Sequence, residues 1–125
     1  MLVETWRKVW REAIAPQLSR EGLVALKTAL ETDDPTLIQG STVRLVHNQE
    51  VTDGDQMECC PVAYAGWKAG KTVVCEVRVF FDEVMRKADR LVGHGDSRHF
   101  LNWWDDSPRE VARLKLLEEV NLKLS

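Results

Sequence analysis

Residues 72–92, TVVCEVRVFFDEVMRKADRLV, decide the fold. Val73, Val77, Phe80, Phe81, Val84, Ala88 and Leu91 recur at three- and four-residue steps, the spacing that gathers side chains on one stripe of an α-helix. Gly93 supplies the stop. The spacing therefore predicts a long central helix with one apolar side, against which the first and last helices pack. On its polar side Asp82 precedes Arg86, and Glu83 precedes Lys87, by one helical turn. That orientation favours ion pairs worth about 0.2 to 0.5 kcal/mol each, so both cations are expected to be partnered. Cys75, in the first turn, is expected to pack as a small hydrophobe.

Towards the C-terminus, Ser107-Pro108-Arg109-Glu110 combines an N-cap, a proline at the first helical position and a capping-box acid. The helix it opens is expected to bury Val111, Leu114, Leu117, Val120 and Leu124. In the other direction, Cys60 precedes Pro61 and is thereby pushed out of the helical region, so a short helix begins at Pro61 and runs to about Ala69, with Gly70 closing it. Residues 41–56 read as loop, with Val43, Leu45 and Val46 offering a short edge strand near 42–47. At the N-terminus, Leu2, Val3, Trp6, Val9, Trp10 and Ala13 form a helical stripe that Pro16 ends. Ser19 then caps a second helix, stapled by Leu18 and Leu23, continued by Leu26 and Leu30, and stopped near Thr32. Asp34-Pro35 starts a turn that Gly40 finishes. The expected architecture is mainly α: one domain over 1–125, about five helices and an irregular central connection.

The balances narrow the function. The 125 residues are 44% apolar and 30% charged, a globular mixture long enough for one core without staples. Seventeen Lys and Arg against twenty Asp and Glu leave a net charge of −3, which argues against a general nucleic-acid binder. A basic face would need Arg86, Lys87, Arg90, Arg98, Arg109 and Arg113 to align, and their acidic neighbours oppose that. No apolar stretch is long enough to span a bilayer, and charges interrupt any signal-like segment at the start. The cysteine count is 3, with Cys59 and Cys60 adjacent, unlike the even framework of a small secreted protein, so a reducing cytoplasm is the expected setting.

Candidate chemistry centres on few residues. Cys59 and Cys60 sit at the start of the Pro61 helix, where the macrodipole and free N–H groups favour a thiolate, and His94 or His99 would supply the base. Against this, free cysteine is usually a buried hydrophobe and no C-x-x-C spacing exists. His94 and His99 have a spacing seen in zinc sites, with Asp96, Asp105 or His47 as further ligands, but the second ligand pair is missing and no metal or cofactor is expected. Glu50, Asp53, Asp55 and Glu58 form an acidic run that lacks the ligand pattern of a calcium loop.

Trp6 and Trp10 read as core. Trp103 and Trp104 are consecutive, so both cannot face one interior, and one indole is expected near the surface beside Asp105 and Asp106. Either that indole anchors a partner, or Phe100, Leu101 and Trp104 pack while Trp103 covers a seam. The expectation taken forward is a cytoplasmic, non-catalytic module that binds an unidentified protein through His99, Trp103, Trp104, Asp105 and Asp106. The alternative is a small Cys/His-dependent enzyme, or a ligand- or metal-binding protein. Oligomeric state is left open.

Overall fold

A computed structural model describes residues 4–45, 57–71, 73–93 and 96–125. Leu2, Val3, Val46 and Thr72, which figured in the expected elements, lie outside the described residues. In chain order the helices are α1 (Thr5–Val9), α2 (Arg20–Thr32), α3 (Pro61–Lys68), α4 (Val74–Val92), α5 (Arg98–Asp106) and α6 (Arg109–Leu124). Strands β1 (Val43–Leu45) and β2 (Met57–Cys59) precede α3. The chain is therefore mainly helical as expected, with α5 as a helix beyond the five anticipated.

The first rod does not simply end at Pro16. It widens into a π-helical turn over Trp10–Ile14 and tightens into a 3-10 turn over Ala15–Gln17. Proline has no N–H and its ring collides with the carbonyl four residues back, so an undisturbed α-helix cannot run through it. Trp6, Val9, Trp10, Ala13, Ile14 and Ala15 are all buried along this rod. Gln17 then donates to the carbonyl of Val84 (2.8 Å), tying the turn to α4.

Helix α2 begins where its cap dictates, with Ser19 Oγ accepting from the Gly22 N–H (3.0 Å). Gly22 also lets α2 approach α3, because a Cβ there would lie 2.6 Å from the Ala65 carbonyl oxygen. Helix α3, with Cys60 at its N-cap and Pro61 in its first turn, buries every residue from Pro61 to Trp67. It packs on α2 and α4. The short helix, not the long one, is therefore the innermost. The strands pair antiparallel, Val43 with Cys59 and Leu45 with Met57, and Arg44 meets Glu58 at 2.8 Å on the wetter side. Three residues per strand are too few to betray alternation, so β1 was readable only as an alternative and β2 not at all.

Three expectations about faces need correction. On α4, Cys75 is exposed and Leu91 is 55% exposed; Val74, Val77, Val84, Met85 and Ala88 are buried, and Phe80 and Phe81 pack partly buried against the core as expected. The ion pairs found among the described residues do not include Asp82–Arg86 or Glu83–Lys87. On α6 the buried residues are Ala112, Leu116, Glu119 and Val120; the expected Val120, Leu117 and Leu124 do meet the core, whereas Val111 and Leu114 face outward. Packing follows this rotation: α6 lies against α2 and the π-helical turn, while α4 lies against α3 and that turn. Ser107 is not the acceptor its capping box implied, because its hydroxyl donates to the Trp103 carbonyl (2.6 Å).

The inward face of α6 carries a buried charge. Glu119 receives Arg11 at 2.6 Å and Arg7 at 2.7 Å, both from the first rod. Burial alone would raise this carboxyl, but the Arg11 and Arg7 hydrogen bonds outweigh it and hold the group below the ordinary carboxylate value. Glu119 shares this inward face with Ala112, Leu116 and Val120 by helical period.

Candidate functional site: the outer face of α5

Helix α5 is fixed at both ends. At its start the Ser97 backbone N–H and hydroxyl donate to Asp89 of α4. Near its end Gln39 Nε2 donates to the carbonyls of Trp104 (2.6 Å) and Ser107 (2.8 Å), and the Gly40 N–H donates to Asp105 Oδ1 (2.8 Å). Phe100 and Trp104, one turn apart, face inward and are fully buried. The Trp104 indole N–H donates to the Ile38 carbonyl (2.9 Å), so its one polar atom is satisfied inside.

Trp104 is thus a core residue and cannot touch a partner, a correction to the expected surface. Asp105 holds the 38–40 turn. The remaining expected residues do come together: His99, Trp103 and Asp106 fall at i, i+4 and i+7 and share the outer face with Asn102. His99, Asn102 and Asp106 are exposed, and Trp103 is half-buried.

What half-buries Trp103 is Trp6. The two rings stack with centroids 3.5 Å apart and planes 4° from parallel. Trp6 is itself held by its indole N–H donating to Glu4 Oε2 (2.9 Å) and by the Arg7 guanidinium 4.6 Å from its ring centre. The Trp6 hydrogen bond, followed by that of Arg7, keeps the Glu4 carboxyl below its ordinary value. Between α1 and the start of α5 lies a cleft of about 130 Å³, lined by Thr5, Lys8 and Val9 of α1, Val92 at the end of α4, Asp96, and His99 of α5. Val9 and Val92 give it an apolar part, and Thr5, Lys8, Asp96 and His99 make the rest of its lining polar or charged.

The cysteine pair lies elsewhere. Cys59 ends β2, Cys60 caps α3, and both thiols are buried. Burial pushes Cys60 up to about 12, and the Val62 and Ala63 N–H groups at the helix start pull down without prevailing. Burial also pushes Cys59 up, with its neighbour Cys60 adding to the effect. The desolvation that the sequence could not weigh therefore outweighs the helix-terminus field. His99 lines the α1–α5 cleft, which neither thiol reaches. His94, His47, Glu50, Asp53 and Asp55 lie outside the described residues. Among the described residues no group of three His, Cys, Asp or Glu side chains could hold a metal ion.

Two of the six cations weighed for a basic face are engaged within the fold. Arg109 binds Asp33 (2.9 Å) and the Asp34 carbonyl (3.1 Å), and Arg113 donates to the Leu30 carbonyl (2.6 Å), so both cap the C-terminal end of α2. Among the described residues no helix is long and apolar enough to cross a membrane. Glu119 and its two arginines were missed by sequence reasoning. Local periodicity assigns a glutamate outward, and its partners lie more than a hundred residues away. A scan against protein-family models finds no match to this chain, and no match is found among curated proteins or solved structures.

Proposed function

We propose that the protein is a non-catalytic interaction module whose docking surface is the outer face of α5 with the adjoining α1–α5 cleft. The observation that carries this reading is the Trp6–Trp103 stack. An indole held flat on a buried partner has little rotamer freedom left to lose, so contact with a second protein costs less ordering entropy than for a free side chain. Half-buried tryptophan, a neighbouring cleft with a valine patch and a rim of His99, Asn102 and Asp106 together have the make-up of an anchor with a polar surround.

The partner suited to this surface is a protein segment that presents one aliphatic or aromatic side chain. The cleft of about 130 Å³ has room for one such group, and Lys8, Asp96 and His99 can hydrogen-bond the backbone on either side of it. Both thiols being sealed and held neutral supports binding over thiol catalysis.

A photo-crosslinking residue at Asn102, in the cell that makes the protein, tests this. The expected result is a discrete adduct at Asn102, absent at the exposed control position Glu31, and lost when His99→Asp and Asp106→Lys are introduced. Those two changes leave the indole stack intact, so the thermal melt should stay within a few degrees. Equal adducts at both positions, or an adduct indifferent to the double variant, would refute the docking surface.

A further inference from the structure

We infer that α6 carries a second, self-complementary surface, through which two copies of this chain associate antiparallel. The orientation of α6 leaves Val111, Leu114 and Leu122 outward, with exposures of 42%, 46% and 60%. These residues occupy one side of a helix of 16 residues, about 24 Å long. Lys115 and Glu118 lie on the same side, and Glu118 is 67% exposed, with the Arg7 guanidinium 3.6 Å away.

The order of these residues selects the occupant. Val111 and Leu122 are equidistant from the point between Leu116 and Leu117, and so are Lys115 and Glu118. A two-fold axis through that point sets Val111 against Leu122 of a second copy and Lys115 against Glu118, each contact made twice. Leu114 extends the apolar strip on either side. Parallel pairing would instead oppose Lys115 to Lys115 and Glu118 to Glu118. Charge complementarity therefore favours an isologous, antiparallel pair. One helix face covers less than the roughly 800 Å² per partner of a standard interface, so we expect weak association, with a dissociation constant on the order of 100 µM. The charged pairs act mainly on register and the apolar residues on affinity.

Sedimentation velocity from about 10 µM to about 1 mM tests the inference, the upper end lying well above the expected dissociation constant. Wild-type protein should shift from monomer to dimer across that range. Lys115→Glu and Glu118→Lys should each weaken the dimer about tenfold or more by opposing like charges, and the two together should restore it. Leu114→Asp should abolish association while leaving the fold intact, as its circular dichroism would show. A wild-type protein that stays monomeric, or a charge-swapped double variant no better than the singles, would overturn the proposal. The His99→Asp and Asp106→Lys variant should dimerise as wild type, which separates this surface from the α5 face.

Discussion

Trp6 and Trp103, ninety-seven positions apart in the chain, lie face to face with ring centroids 3.5 Å apart. This contact joins α1 to α5 at the outer face of α5. Truncation of Trp103 to alanine should cost about 2 kcal/mol, below the roughly 3 to 5 kcal/mol of a fully buried tryptophan because one face is already wet. Urea unfolding measures the loss, and near-ultraviolet circular dichroism should lose the signal of coupled indoles. A loss below about 0.5 kcal/mol would mean that the stack contributes nothing to the fold.

Replacing Glu119 with leucine should leave Arg7 and Arg11 facing an apolar group. The expected destabilisation is near the lower end of about 3 to 5 kcal/mol, because Arg11 is 46% exposed and keeps access to water. The pH dependence has a definite sign. A carboxyl whose folded value is held below the ordinary 4.5 contributes stability that is present above that value and is lost as the pH falls through the folded one. Glu119→Gln should therefore flatten the acid limb of a stability profile between pH 7 and about pH 3. Asp34, held low by Thr36 and Tyr64 against the opposing effect of burial, should leave a residual slope.

Thiol titration separates the cysteines. Cys75 should react rapidly in the native protein, whereas Cys59 and Cys60 should wait for unfolding, since both are buried and pushed upward. Because the folded state disfavours their thiolates, stability should decline as the pH rises above the ordinary value of 9.0. Rapid labelling of either buried thiol at neutral pH would contradict this placement.

The rotation of α6 is testable without any partner. Leu116→Ala should cost about 2 to 5 kcal/mol, and Leu114→Ala should stay within about 0.5 kcal/mol at protein concentrations below association. Reversal of that order, read from urea midpoints, would restore the face expected from periodicity.

Gly22→Ala sets helix propensity against close packing. Alanine in a helix gains about 1 kcal/mol over glycine, yet the added carbon would stand 2.6 Å from the Ala65 carbonyl oxygen, a backbone atom with no rotamer to escape through. Net destabilisation of about 1 to 3 kcal/mol is expected by urea titration.

Boundaries set by local chemistry were legible: Ser19 caps α2, Pro61 opens α3 and Gly93 follows α4. These residues act on their own backbone, so one sequence suffices to read them. Faces set by distant partners were not. Glu119 faces inward beside Arg7 and Arg11, and Leu114, expected inside, faces outward. Within the candidate site, the consecutive indoles promised that one would lie near the surface, and Trp103 does. Which of them it was depended on Phe100, whose partner one turn on is Trp104. The stack on Trp6 and the burial of the adjacent thiols are products of tertiary packing that spacing does not encode.

The π-helical turn over Trp10–Ile14 houses one residue more than an ordinary turn, and so Ala13, Ile14 and Ala15 enter the interior in succession. Shortening the chain there by a single position would restore regular pitch and swing everything beyond it by about 100°. Ile14 would then leave its place, and Gln17 would lose the Val84 carbonyl. The junction can accept new side chains of similar bulk; it cannot accept a different tally of residues.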